Sequence, residues 1–242
     1  MPLAARLRRI VGRLDASVEM SPLEQRVERA VREDVAIVPY DSRWPELFRS
    51  EAEHLRCCLP AGLIRRIEHF GSTAVPGLAA KPIIDVLVEV CSLKAARAEI
   101  PPILKAQGYD YFWRPSFGDD VPPWYAFFIR RDRNGRRTHH IHMVTARRTF
   151  REHWDRLLFR DYLIAHPKTA LAYGRLKTDL AARHPNDRVA YTNGKSAFIQ
   201  RVTVAAKKLM NSPNPQGRAN GRQPFSSDTN RASVAAASRR SP

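Results

Sequence analysis

The apolar positions of this chain change period twice. Trp44, Leu47, Phe48, Ala52, Leu55 and Cys58 recur at helical spacing around Pro45, a residue suited to a first helical turn. Leu63–Phe70 then reads as a strand that ends at Gly71-Ser72-Thr73. The run PIIDVLVEV, Pro82–Val90, is nearly continuous and β-branched, as expected of a central strand buried on both faces. A helical stretch over about 95–107 follows, interrupted by Pro101-Pro102. Three strand-like runs come next, Asp110–Arg114, Tyr125–Arg131 and Thr138–Thr145, the last two joined by Asp132-Arg133-Asn134-Gly135 with the Asn-Gly signal of a hairpin. Phe150, Trp154, Leu157, Leu158 and Ile164 predict one helix ending near His166-Pro167. Leu171, Leu176 and Leu180 predict a second, and Phe198, Ile199 and Val202 a third. The layout is α+β: one small mixed sheet with helices, then a C-terminal helical cap.

Composition adds one outlier. The 242 residues carry 41 Lys+Arg against 24 Asp+Glu, a formal charge of +17. Only +1 lies on residues 1–34 and +4 on residues 211–242, which leaves +12 on residues 35–210. A basic folded domain favours anionic partners: nucleotides, phosphates or nucleic acid. Residues 1–34 read as a helical or flexible extension, with a transit peptide as the alternative; residues 211–242 read as a disordered basic tail that cannot bury enough apolar area to offset its ordering entropy. No apolar run approaches the ~20 residues of a membrane span, so no membrane is expected. Cys57, Cys58 and Cys91 cannot all pair within one chain and read as reduced thiols in or beside the core of a cytoplasmic protein.

Asp85 is the most informative residue, because a carboxylate within an apolar strand is expensive unless paired, hydrogen-bonded or bound to metal. Just upstream, Gly71, Ser72 and Thr73 form a small-residue turn whose amides and hydroxyls suit a phosphate. Strand, Gly-Ser turn, short helix and Asp-bearing strand resemble the opening of the DNA polymerase β-like nucleotidyltransferases. In that superfamily the turn holds nucleotide phosphates and strand carboxylates hold magnesium. The resemblance implies a catalytic, Mg2+-binding Asp85, but the position for a second acid is Leu87, and Glu89 sits ~13 Å away at strand rise. The alternative is an Asp85 that anchors the Gly-Ser loop or pairs with Lys81. Glu68 or His69, on opposite faces of the preceding strand, is the candidate to supplement Asp85, with Glu68 as the candidate second metal ligand. His140 and His142 share a face ~7 Å apart and read as a hydrogen-bonding pair lining a cleft, with metal binding as the alternative. Gly194-Lys195-Ser196 lacks the first Gly of a phosphate loop, so Lys195 is considered only as a cation facing a cleft. Arg130-Arg131, Arg136-Arg137 and Arg147-Arg148 read as solvated strand edges.

Val38-Pro39-Tyr40-Asp41 with Trp44-Pro45, then IEHFGSTAVPGLAAKPIIDVLVEV from Ile67 to Val90, resemble the GrpB family of bacterial proteins. Gly108-Tyr109, His140-x-His142, FRDYLIAHP at Phe159–Pro167, and Asp187-Arg188, Tyr191 and Lys195 extend the similarity over about residues 35–205. The resemblance implies the nucleotidyltransferase superfold, with Glu68, His69, Gly71, Ser72, Thr73, Lys81 and Asp85 as its motif residues. Related domains are fused to some bacterial dephospho-CoA kinases as accessory or folding-assisting parts. Two functions follow as expectations: binding of a nucleotide or phosphorylated ligand, with metal-assisted nucleotidyl transfer as its catalytic form, or a non-catalytic module for a partner such as that kinase. Nonspecific nucleic-acid binding is a weaker third.

Overall fold

The computed structural model describes residues 35–116 and 121–211. The expected extension at 1–34 and tail at 211–242 lie outside the described residues, save Asn211, which ends the last helix.

Five strands form one mixed sheet. They are β1 (Ile64–Phe70), β2 (Ile84–Val90), β3 (Asp110–Pro115), β4 (Trp124–Arg131) and β5 (Arg137–Val144). Their order is β1-β2-β5-β4-β3, with β2 and β5 parallel and every other pair antiparallel. Among the described residues six α-helices accompany them: α1 (Trp44–Cys58), α2 (Leu93–Ala106), α3 (Arg151–Ala165), α4 (Pro167–Arg183), α5 (Arg188–Gly194) and α6 (Ser196–Asn211). A parallel β2–β5 pair requires a crossover, which α2 and the β3–β4 hairpin supply.

The two faces of the sheet have different work. Val86, Val88, Ile141, Met143, Ala126 and Phe128 point to the face covered by α1 and α2, where they pack on Leu55, Ile100 and Leu104. Phe70, Leu87, Phe127, Ile129 and Val144 point the other way, onto Phe150 and Leu157 at the start of α3. On this second face lie Asp85 and His140, partners in the β2–β5 register. The cap begins with the second half of α3: Val75 and Leu78, just after the Gly-Ser turn, pack on Phe159, Leu163, Tyr173 and Val202. Tyr191 of α5 is buried with Leu180 and Val35. The cap therefore closes over the end of the sheet that carries the turn and Asp85.

Several local expectations change. Strand β2 starts at Ile84 rather than Pro82, because Pro82 has no N–H to donate and Ile83 N–H turns back to the Lys81 carbonyl at 2.7 Å. Asp85 thus stands near the strand's beginning rather than in its middle. Helix α2 runs unbroken through Pro101 and Pro102. An interior proline costs ~3 kcal/mol, but Ala96, Ile100 and Leu104 are all fully buried, and each large apolar side chain contributes ~1.5–3 kcal/mol. A Ser92 cap, whose Oγ accepts from Ala95 N–H at 3.2 Å, fixes the start. In α3 and α4 the expected inward positions Ile164 and Leu171 are exposed, and His153, Phe159, Leu163 and Tyr173 are buried instead. Cys57 and Cys91 are exposed free thiols, not core residues.

Of the arginine runs, Arg136 and Arg147-Arg148 are solvated as expected, whereas Arg130, Arg131 and Arg137 are drawn in, since β4 and β5 lie inside the sheet. Arg130 is paired with the fully buried Glu51 of α1, whose other oxygen accepts from Tyr109 Oη at 2.8 Å. Arg131 donates to Asp110 at 2.8 Å. The β4–β5 turn is as expected: Gly135 has φ 76°, and Asp132 Oδ1 accepts from the amides of Asn134 and Arg136, each at 2.9 Å.

Candidate functional site

Asp85 is positioned by the turn that faces it. Gly71 has φ 76° and ψ −170°, a conformation essentially restricted to glycine. A Cβ built there would lie 2.4 Å from Asp85 Oδ2, so the carboxylate occupies the space that a side chain would fill. The other oxygen, Oδ1, is 3.1 Å from His140 Nδ1. Burial pulls the His140 pKa down to about 4 against the attraction of Asp85, so the ring is neutral at pH 7 and donates Nδ1–H. Its Nε2 is left as an acceptor and faces Arg137 Nη1 at 3.4 Å. Burial also opposes ionisation of Asp85, but the His140 bond and the charges of Lys81 and Arg156 outweigh it and hold its pKa below the ordinary value. The site thus keeps one ionised carboxylate, with 27% of its side-chain surface open.

Around that single anion the cleft is cationic. Lys81 Nζ lies 4.8 Å and Lys195 Nζ 4.4 Å from the centre of the same Tyr191 ring. Burial, with Arg188 and Lys195 adding to it and Asp85 opposing, lowers the Lys81 pKa to about 6. Burial lowers Lys195 to about 8, again with Asp85 opposing and Arg188 adding. Lys177 of α4 is buried, donates to the Ala79 carbonyl and has a pKa of about 7, chiefly through burial. Among the described residues neither Lys81 nor Lys195 has a carboxylate within salt-bridge distance. Tyr191 is fixed by α5, whose first amides, Val189 N–H and Ala190 N–H, donate to Asp187 Oδ1 at 3.1 and 3.0 Å.

The remaining expected residues divide. Gly71, Ser72, Lys81, Asp85, His140 and Lys195 come together at this end of the sheet. Ser72 is half-buried and its hydroxyl meets that of Tyr173. Thr73 turns inward instead: its hydroxyl donates to the Ile83 carbonyl at 3.3 Å and faces His69 Nε2 at 3.1 Å, so it ties the turn to β2 and is closed to a phosphate. His142 shares the face of His140 but lies in an aromatic enclosure, stacked on Tyr125 with ring centres 5.6 Å apart. Burial keeps it neutral, and Arg156 Nη1 donates toward its Nδ1 at 3.4 Å. Glu68 shares the face of Asp85, yet its oxygens are taken by Arg66 at 2.8 Å and Arg160 at 3.0 Å, which tie β1 to α3. His69, on the opposite face, stacks on Phe48 of α1 at 4.7 Å.

The donor set does not fit magnesium in the expected role. A two-metal centre needs several carboxylates around ions ~3.5–4 Å apart. Here Leu87 is fully buried in the core at the second acid position, and Glu68 is committed to two arginines. Among the described residues no group of three or more His, Cys, Asp or Glu could hold a metal ion. Charge for an anionic ligand is supplied by lysine and arginine.

Sequence reasoning missed Arg156, Arg137 and Lys177 as neighbours of the cleft. Each is one basic residue among many in a chain with 41 Lys+Arg, and no local pattern marks the ones that turn inward. Tyr191 and Arg188 were visible only through the family resemblance.

A family model described as GrpB protein matches residues 34–205. A UPF0157 protein of Pseudomonas aeruginosa is 39% identical over 186 residues, covering 74% of this chain and 70% of that protein. UPF0157 protein YqkA of Bacillus subtilis is 38% identical over 174 residues, 72% of this chain but only 48% of its own length, so the match spans about half of that relative. A shorter match, 38% identical over 81 residues, covers 32% of this chain and 19% of a dephospho-CoA kinase of Mycolicibacterium paratuberculosis. Among solved structures, conserved protein GrpB from Enterococcus faecalis aligns at TM-score 0.62 and 33% identity over 72% of this chain and 99% of that one. No described helix is long and apolar enough to cross a membrane.

Proposed function

The chain belongs to the GrpB family, and we propose from that premise that the cleft at Asp85 binds a nucleotide or another phosphorylated small molecule. One observation carries the reading: two half-buried lysines on one Tyr191 ring, beside Arg188, with Asp85 the nearby carboxylate. Burying like charges together is unfavourable unless an anion joins them, and a phosphate group brings that charge with several strong acceptors. In this reading Lys195 and Arg188 hold the phosphates, with Lys81 beside them. Gly71 and Ser72 form the wall beside them, and Asp85, oriented by His140, accepts a hydroxyl or amino hydrogen of the ligand. The reading stops at binding, because the residues that nucleotidyl transfer would require at positions 68 and 87 are an arginine-bound glutamate and a buried leucine.

Thermal unfolding tests it with inorganic phosphate, pyrophosphate, ATP and the corresponding nucleoside, each with and without Mg2+. A ligand at a hundredfold its Kd stabilises by ~2.7 kcal/mol, which raises Tm by roughly 5–10 °C for a domain of this size. A shift with the phosphorylated ligands, absent with the nucleoside and independent of Mg2+, is expected. No shift with any phosphate compound overturns the reading.

The stretch shared with a dephospho-CoA kinase favours a second reading, a module that assists a partner of that kind. It requires a stable complex with such a kinase in the absence of ligand, and failure of the two purified proteins to co-elute counts against it.

A further inference from the structure

Lys81 sits on a loop whose backbone is pinned on both sides. The backbone on its N-terminal side is pinned by paired hydrogen bonds between Val38 and Ala80, at 2.9 and 3.0 Å. On its C-terminal side Pro82 fixes the chain, and the Lys81 carbonyl accepts from Ile83 N–H at 2.7 Å. The amine projects from this fixed loop to the buried Tyr191 ring, where Lys195 approaches the same ring. Lys195 and Arg188 both disfavour a charge on Lys81, and Asp85, engaged with His140 and against Gly71, only partly offsets them. A desolvated lysine beside other cations is the usual arrangement for an amine nucleophile, because only the free base carries a lone pair.

We propose that Lys81 is a nucleophile, and that the phosphorylated ligand of this cleft carries an aldehyde or ketone which Lys81 captures as an imine. The proposal rests on the phosphate-binding reading and adds the substrate class to it. Lys195 and Arg188 hold the phosphate while Nζ of Lys81 attacks the carbonyl carbon. The nitrogen lone pair forms the C–N bond as the C=O π pair moves to oxygen. Both amine hydrogens end on that oxygen, which leaves as water while the nitrogen lone pair forms the C=N bond. Nothing is oxidised or reduced, and no co-reactant is needed.

Pyridoxal 5′-phosphate is the probe, since it is a phosphorylated aldehyde whose imine is fixed by borohydride and located by peptide mass mapping. With a pKa of about 6, Lys81 is mostly free base at neutral pH, about a thousandfold more so than an exposed lysine. Lower basicity gives part of that back, so a net preference of about tenfold over any other lysine is expected. Label is expected on Lys81 first, lost in both Lys81→Arg and Lys81→Met, suppressed by inorganic phosphate, and without site preference when pyridoxal lacking the phosphate is used. The labelling rate is expected to level off just above pH 6 rather than climb toward pH 10. Equal labelling of Lys195 or of surface lysines overturns the proposal. If phosphate still raises Tm while Lys81 stays unlabelled, the imine is refuted and the binding reading stands; if neither occurs, both fail.

Discussion

Replacing Gly71 by alanine places a Cβ 2.4 Å from Asp85 Oδ2 and 3.1 Å from the Asp85 Cγ. Two costs follow. The backbone conformation, φ 76° and ψ −170°, costs a side-chain-bearing residue ~1–3 kcal/mol. The carboxylate must also move, and its bond from His140 is a hydrogen bond to a charged group, of ~1.5–3 kcal/mol. The expected loss is therefore about 3–5 kcal/mol out of a total stability of ~5–15 kcal/mol. Gly77→Ala is the control, since Gly77 has φ 73° with nothing within 4 Å of an added Cβ, and costs only the backbone share, ~1–3 kcal/mol. Urea unfolding at neutral pH measures both. Asp85→Ala removes the colliding oxygen, so in its background Gly71→Ala should be milder by more than the ~0.5 kcal/mol that separates coupled from independent sites. If Gly71→Ala costs no more than Gly77→Ala, or adds to Asp85→Ala without coupling, the close approach of turn and carboxylate is refuted.

Burial holds His140 at about 4, below its ordinary value of 6.5. Its depressed folded pKa means stability is complete above pH 6.5 and falls as pH drops toward 4, by roughly 3 kcal/mol for this ring; His69 and His153 add falls of the same sign, chiefly through their burial. His140→Gln should flatten part of that fall in urea midpoints followed across the window, and an unchanged slope would contradict a neutral, buried His140. On the opposite side of the sheet, Glu51→Ala leaves the Tyr109 hydroxyl and Arg130 without their shared partner. A loss of ~2–4 kcal/mol in urea unfolding is expected, larger than for Arg130→Ala, whose side chain is already 42% exposed. Equal losses would show that the pair is no more than a surface contact.

The prolines of α2 and the arginines of β4 show where reading along the chain goes astray. Local propensity says that Pro101-Pro102 breaks a helix, yet the helix runs through them, and burial of Ala96, Ile100 and Leu104 offsets much of the cost. Adjacent arginines at a hairpin resemble solvated edges, yet Glu51 and Asp110, distant in sequence, receive them. Alternation set Glu68 and His69 on opposite faces without saying which meets Asp85; the register puts Glu68 there, and two arginines take it.

What the sequence determined by itself is local and periodic. It placed strands β1 to β5 within a few residues, through their alternating or continuous apolar runs. It also located the Asn134-Gly135 turn, and the nearness of Gly71 and Asp85 through the strand–turn–strand order. The tertiary structure decided which charges matter. Lys81, Tyr191 and Lys195 are separated by more than a hundred residues of chain at their widest, and Arg188 and Arg156 lie on different helices. Only the packing of the cap onto the turn end of the sheet brings these groups around Asp85. Electrostatic energy depends on distance and burial rather than on sequence separation. A total of +17 could therefore announce an anionic partner, but only the fold selects the few cations that form the cleft.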